Sequence, residues 1–393
     1  MIKRQFNILS TLACSSLLLF ASSTFAMGEP ESSSINAQSR STSQFVVNGQ
    51  SITYQTEVMA ESLNFPWSLT FMPNNEILIS EKSGQLKRLS SDNKIDSISG
   101  VPSVFFKSQG GLFDTLVDPD FANNQTIYLS YAGGTMEANA THIASAKLVD
   151  NQLTELKTIF QVTPDKKGPV HYGGKLAWMP DNTILLTTGD GFDYREKAQD
   201  KQNLLGKIIR INRDGSIPSD NPYASSQAYH PAIYSLGHRN PQGITYDNQN
   251  NRIVMHEHGP AGGDEINYIE AGKNYGWPVA SHGKDYSGAS ISPFKTYQGM
   301  QDPLIHWTPS IAPSGLAVYA GEQFPEIQGS YLVGALAGKE LRLVVKNDNQ
   351  VVEQLSLLKE LDQRIRDVRV DSKGIIYVLT DGESGQLIRI SRN

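Results

Sequence analysis

From about residue 60 to the C-terminus, short apolar stretches alternate with polar turns, and no segment carries a long 3.6-residue apolar period with helix caps. Six segments share one pattern: an alternating strand, a turn built from Pro, Asp, Asn or Gly, then a more apolar strand. They begin at Pro66 (PWSLTFMPNNEILISEKSGQLKRL), Gly110, Gly173 (GGKLAWMPDNTILLTTGDG), Pro241, Ser314 and Arg364. Three continue into a third strand with a common ending: GQLKRL at 84–89, GKIIRI at 206–211 and GQLIRI at 385–390. The starts lie about 45 to 75 residues apart, room for a four-stranded antiparallel sheet and its loops. Asn, Asp and Gly in the turns tolerate the left-handed backbone of tight hairpins, and Ile, Leu, Val, Thr and Tyr fill the strands. Six such sheets arranged radially predict an all-β, six-bladed β-propeller of four-stranded antiparallel sheets. A two-sheet sandwich would rarely repeat six times or reach this length. Propellers carry function in loops at one end of the central channel, so the irregular insertions 161–173, 191–203, 213–240, 258–264 and 276–313 are where chemistry is expected.

The N-terminal pattern differs. Lys3 and Arg4 precede a mostly apolar run from Ile8 to Ala21, and Thr24-Phe25-Ala26 places small residues at a cleavage site. Residues 1–26 read as an export signal, too short in its apolar run for a membrane span, and imply a periplasmic protein. An uncleaved anchor is the other reading of this segment. Residues 27–45 are Ser-rich, lack periodicity and read as a flexible lead-in, which leaves 46–393 as one propeller domain. The single cysteine, Cys14, lies in the signal, so the exported chain has no disulfide, thiolate nucleophile or thiolate metal site. The chain of 393 residues has a net charge of −6, or −8 without residues 1–26. That balance argues against nucleic acid or anionic membrane as the main partner.

Against this acidic background, four constellations stand out. Gly237-His238-Arg239-Asn240-Pro241-Gln242-Gly243 offers a cation and two amides at the entry to the fourth repeat, suited to an oxygen-rich anionic ligand, although a solvated turn would look the same. Glu257-His258-Gly259-Pro260-Ala261-Gly262-Gly263-Asp264-Glu265 combines exposed carbonyls with carboxylates, hard donors of the kind that take Ca²⁺, without EF-hand spacing; an ordinary acidic turn is the alternative. His171, in Val170-His171-Tyr172-Gly173-Gly174, is a candidate general base, with Asp190 of Thr188-Gly189-Asp190-Gly191 placed to orient it, against the readings of a packed histidine and a turn aspartate. Arg364 and Arg366 share one face of a strand, with Arg369 on the other; two neighbouring guanidiniums call for an anion between them unless the face is simply solvated. Arg239, Arg364 and Arg366 together suggest a multiply charged anion at one channel mouth.

These residues carry a family resemblance. FPWSLTFMP, QGGLFD, HYGGKL, GKIIRINRDGSIPSDNP, GHRNPQG, EHGPAGGDEINYIEAGKNYGWP, RIRDV and LTDGESGQL, in this order over about 60–393, resemble the soluble PQQ-dependent glucose/sorbosone dehydrogenase family, in its aldose sugar dehydrogenase branch. The resemblance implies a six-bladed propeller that binds pyrroloquinoline quinone (PQQ), a tricarboxylated quinone, together with Ca²⁺. By motif it implies PQQ contacts from Gln109, Arg239, Asn240, Tyr286, Arg364, Arg366 and Lys339, the last within GALAGKEL, which departs from the usual pattern. It implies Ca²⁺ on the backbone oxygens of Gly259 and Pro260, and a further Ca²⁺ position at Glu265 and Tyr275. It implies His171 as base supported by Asp190, with Arg239 stabilising developing negative charge during hydride transfer from the anomeric carbon of an aldose, a lactone as product and electrons passed to an external acceptor. The chain is shorter than the glucose-selective branch, so a broad range of aldoses is expected. His258 stands where other branches carry Gln. A Ca²⁺-dependent propeller lactonase and a non-catalytic sugar-binding propeller are the competing readings.

Overall fold

A computed structural model describes residues 40–348 and 350–393; residues 1–26, read above as an export signal, and most of the expected lead-in lie outside the described residues. Six antiparallel sheets follow one another along the chain. Their innermost strands are Pro66–Phe71, Leu112–Val117, Leu176–Trp178, Pro241–Asp247, Pro313–Val318 and Ile365–Val370. Each inner strand packs against the next, and the last returns to the first, closing a ring around a central channel. The blades are numbered below from the one that begins at Pro66. The starts match the sequence repeats within three residues. The common endings GQLKRL, GKIIRI and GQLIRI fall in third strands, as predicted.

One strand was not legible as part of the repeat. Gln50–Leu63 pairs with Gly385–Arg392, so the sixth blade is completed by the N-terminal end of the chain and the ring is closed by hydrogen bonds between its two ends. Arg40–Val47 adds a fifth strand outside it. Residues 40–45, assigned to the flexible lead-in, are therefore strand. Their alternation of Ser and Thr with few apolar residues hides an edge strand, exposed through most of its length and tied down by Arg40 on Glu57. The other five blades have four strands each.

Apolar side chains fill the wedges between neighbouring blades, as in the cluster of Leu116, Ile143, Leu176, Leu186 and Ile209 between the second and third. In five of the six inner strands the ladder slips near its start: at Pro66/Ser68, Leu112/Thr115, Pro241/Gly243, Pro313/Leu316 and Ile365/Asp367. A bulge adds a residue to one strand and re-aims the side chains around it. This repeated irregularity brings Trp67, Phe113, Gln242 and Arg366, residues that the ladder skips, to the wall of the channel mouth while the rest of the strand stays in register.

Below that mouth the channel is closed by charge. Asp367 Oδ1 accepts from Lys175 Nζ at 2.9 Å and its Oδ2 from the Leu69 amide at 3.1 Å. Arg369 Nη2 donates to Asp114 Oδ1 at 3.2 Å, and Asp114 Oδ2 accepts the Leu176 amide at 3.0 Å. Both carboxylates are fully buried. Gly315 of the fifth blade abuts this group: a Cβ there would lie 2.5 Å from Asp367 Oδ1. Removing one member of a buried ion network strands its partners, at about 3–5 kcal/mol. Lys175→Met is accordingly expected to lower unfolding free energy by about 3 kcal/mol or more, read as a fall in the urea midpoint; a change within about 0.5 kcal/mol would show that the network does not hold the ring.

Candidate active site

The aromatic rings of Trp67, Phe113 and Tyr172 lie directly above the charged group, with Lys175 Nζ 4.4 Å from the Trp67 ring centre. Phe113 contacts Trp67 and Tyr172 at centroid distances of 5.3 and 5.5 Å. The residue before Tyr172 is His171, so the floor of the channel fixes the position of the candidate base.

His171 is held by backbone and side chain alike. Its φ of +52° is unusual for a residue with a β-carbon, and its amide donates to Gln109 Oε1 at 2.8 Å. Gly189 allows the chains to approach: a Cβ there would lie 2.3 Å from the His171 carbonyl oxygen. His171 Nδ1 and Asp190 Oδ1 are 2.7 Å apart. Asp190 is itself oriented, accepting from Trp277 Nε1 at 2.8 Å on Oδ2 and from the Phe192 amide at 2.8 Å on Oδ1. A proton on Nδ1 satisfies the carboxylate, leaving the Nε2 lone pair as the imidazole's acceptor. Phe192 packs edge-on against the ring at 5.1 Å.

Burial lowers the His171 pKa below the ordinary imidazole value; Asp190 opposes the shift, while Arg239 and Lys166 add to it. For Asp190 burial acts upward, but the hydrogen bond and charge of His171, with Arg239, hold it below the usual carboxylate range. A neutral base beside an ionised carboxylate is the resulting state near neutrality.

Two neighbouring cavities share this wall. The first, of about 420 Å³, is lined by Gln109, Asn240, Gln242, His258, Arg364 and Arg366 above the aromatic floor. The second, of about 280 Å³, is lined by His171, Asp190, Phe192, Arg239, Trp277 and Tyr286. Consecutive residues divide them: His171 faces one and Tyr172 the other, Arg239 one and Asn240 the other. Six of the seven expected cofactor contacts thus reach the site, split between two chambers.

Lys339, the seventh, does not. Its Nζ bonds Asp362 Oδ1 at 2.9 Å, and it lines neither cavity. The turn Ala335–Glu340, with Lys339 at a φ of +49°, directs the side chain outward. The anion expected between Arg364 and Arg366 is partly built in: Asp381 Oδ2 accepts from Arg364 Nε at 2.9 Å and Arg366 Nη2 at 3.2 Å. Arg366 is the extra residue of the bulge at Ile365/Asp367, which turns it toward the cavity while Asp367 faces the buried charges.

The expected metal positions fare differently. Pro260 lines the second cavity, and the Gly259 carbonyl oxygen accepts from Arg239 Nη1 at 2.7 Å. Both oxygens of Asp264 are engaged: Oδ1 accepts the Gly259 amide, and Oδ2 the amides of Ile311 and Ala312 and the Ser310 hydroxyl, all within 2.9 Å. It anchors the loop 259–264 to residues 310–312. The side chains of Glu265 and Tyr275 each have a hydrogen-bond partner of their own. Glu265 takes Asn267 Nδ2 at 3.0 Å, the Tyr275 hydroxyl donates to the Tyr268 carbonyl at 2.6 Å, and neither residue lines the two cavities described above.

Several positioning groups gave no sequence signal. Glu257, buried, accepts the amides of Arg239 and Asn240 and sits 3.1 Å from His238 Nδ1, so one carboxylate shapes the whole Gly237–Gly243 turn. Burial pushes its pKa up. Lys166 Nζ stands 3.7 Å from the Tyr172 ring centre, bonded to Asn139 Oδ1 and the Gly168 carbonyl; burial brings its pKa to about 7. Lys166 stands in no recognised motif, and Glu257, although it opens the Glu257–Glu265 run, carries no signal for this role, because its partners lie in another motif.

The sequence profile of the family described as glucose/sorbosone dehydrogenase matches residues 63–389. The chain is 37% identical to the aldose sugar dehydrogenase YliI of Escherichia coli over 346 residues, covering 86% of this chain and 93% of that protein. The solved apo structure of the soluble aldose sugar dehydrogenase of E. coli superposes with a TM-score of 0.83 at 36% identity, over 86% of this chain and all of that one. The PQQ-bound aldose sugar dehydrogenase of Streptomyces coelicolor superposes with a TM-score of 0.73 at 25% identity, over 90% and 99%.

The geometry makes a titration prediction. Asp190→Asn removes the charge that supports imidazolium, so the His171 pKa, already below about 6.5, is expected to fall further. NMR of the imidazole nitrogens against pH reads both values. A rise in the variant would contradict the dyad, and a wild-type pKa above 6.5 would show that burial does not outweigh Asp190.

Proposed function

The chain belongs to the glucose/sorbosone dehydrogenase family, and from that premise we propose that it oxidises aldose sugars at the anomeric carbon to lactones, with PQQ and Ca²⁺. The observation that carries the proposal is the buried His171–Asp190 pair opening beside a cavity walled by Arg364 and Arg366. The first cavity would take the anionic cofactor and the second the sugar.

The residues present fit PQQ. Arg366 Nε and Asp381 Oδ1 have no hydrogen-bond partner within the protein, on side chains that line the first cavity, so this wall is not satisfied by the protein alone. Arg364 and Arg366 would hold carboxylate, and the amides of Gln109 and Asn240 the ring oxygens and nitrogens. For Ca²⁺ the chain supplies the Gly259 and Pro260 carbonyls, a minority of the six to eight oxygens that the ion needs. Such a metal is held only together with an anionic ligand. When bound, PQQ supplies a two-electron acceptor for the sugar's hydride equivalent.

The protein's own part is proton transfer and charge placement. His171 Nε2 would take the proton of the anomeric hydroxyl, and Asp190, bonded to Nδ1, would stabilise the imidazolium that forms. Arg239 has its Nη1 fixed on two carbonyl oxygens, His258 at 3.2 Å and Gly259 at 2.7 Å, and its Nη2 3.5 Å from the Tyr286 hydroxyl. It would bring positive charge to the boundary between the chambers, where negative charge develops. Phe192 and Tyr286, stacked on one another at 6.4 Å and both exposed, offer aromatic surface beside the base, suited to the C–H faces of varied sugars. We place this activity in the periplasm, after loss of residues 1–26, with electrons leaving to an external acceptor.

Dye-linked oxidation of a panel of aldoses by the purified apoprotein tests the reading. Activity is expected only with both PQQ and Ca²⁺. His171→Ala should lower kcat by about 10²-fold or more while PQQ still binds. Because the base must be neutral, the acid limb of kcat/KM is expected below pH 6.5. Lactone hydrolysis without PQQ, and no oxidation with it, would overturn the reading in favour of a hydrolase.

A further inference from the structure

The first cavity holds a cation that no motif announces. Lys82 follows the strand Ile77–Glu81 of the first blade and reaches the cavity wall beside Arg364, Arg366 and Asp381. Its Nζ donates to the Ser108 carbonyl at 2.7 Å and stands 5.6 Å from the Phe65 ring centre. An ammonium has three hydrogens, so two remain for a ligand. Burial lowers its pKa, Arg366 and Arg364 lower it further, and Asp381 offsets this only in part. Among the cavity-lining residues three cations thus face one carboxylate, Asp381, whose Oδ2 both arginines already share. The electrostatic surplus calls for more anionic charge than two guanidiniums and their resident carboxylate explain. Lys339, meanwhile, is spent on Asp362 and lines neither cavity.

We propose that Lys82 is the ammonium that binds a carboxylate of the cofactor, in the role the motifs would give to Lys339. The assignment rests on the reading of this cavity as a PQQ site. It predicts a three-cation clamp in which Arg364 and Arg366, bridged by Asp381, form one side and Lys82, steadied by Ser108, the other. Lysine serves here as a movable point charge, whereas the arginines fix orientation.

The test is equilibrium binding of PQQ to the full-length apoprotein with Ca²⁺, followed by tryptophan fluorescence or calorimetry, for wild type, Lys82→Met, Lys82→Arg and Lys339→Met, each with its melting temperature. Lys82→Met is expected to raise Kd roughly tenfold to a hundredfold, the loss of one charge-assisted hydrogen bond, with the melting temperature of the apoprotein held within about 2 °C. Lys82→Arg should recover most of the affinity, and Lys339→Met should bind as wild type. Equal affinity for wild type and Lys82→Met, or a loss in Lys339→Met matching that in Lys82→Met, would overturn the assignment. Absence of saturable PQQ binding by the wild type would overturn the PQQ reading itself, and this inference with it.

Discussion

Asp114 and Asp367, with Lys175 and Arg369, occupy the point at which the inner strands of four blades converge, and every feature of the site is built outward from there. A buried carboxylate is tolerated only when its charge and its lone pairs are answered. Here the answers come from different blades. The Leu69 amide belongs to the first, the Leu176 amide and Lys175 to the third, and the arginine to the sixth. A propeller otherwise joins its blades mainly by apolar contact, which is tolerant of small rotations. The charged group is not tolerant, and it sets the relative orientation of the inner strands over which the aromatic floor and His171 are laid.

From that base the site follows as a series of constraints. The floor of Trp67, Phe113 and Tyr172 fixes the 171–173 turn from below, and Gln109 and Gly189 fix it from the sides. Asp190 is then held by Trp277 at one oxygen and offers the other to His171. Glu257 performs a parallel service for the turn that carries Arg239 and Asn240. The groups proposed to meet sugar and cofactor are therefore each supported by a buried partner, the arrangement that holds reacting groups in place without reorganisation.

The repeat, and with it the propeller, was legible because strands and turns recur locally and the Asn, Asp and Gly turns punctuate them. The strand Gln50–Leu63 was not, because its partner Gly385–Arg392 lies at the other end of the chain and pairing across that distance leaves no mark in either segment. The same division runs through the site. Gln109, His171, Asp190, Arg239, Asn240, Tyr286, Arg364 and Arg366 stand in recognisable motifs and reach the cavities. Lys339 failed because a side chain's direction depends on the turn geometry at 335–340, which a motif with altered spacing no longer specifies. Asp264 looked like a metal carboxylate because its chemistry is right; only the fold shows four donors already upon it. Glu257 and Trp277 stand in a recognised motif, but their partners, like those of Lys82, lie far away in the chain, and no spacing rule reaches the contacts.

The central claim is that the cationic cavity and the His171 base act on one electron pair, taken from an aldose and given to PQQ. Its most direct test is an anaerobic single turnover: protein reconstituted with one equivalent of PQQ and excess Ca²⁺ is mixed with a substoichiometric aldose, with no other acceptor present. The account predicts loss of the oxidised-quinone absorbance in equal measure to the sugar added, with one lactone formed per quinone reduced. Lactone without a change in the quinone spectrum, or a bound quinone that no aldose reduces, would contradict it.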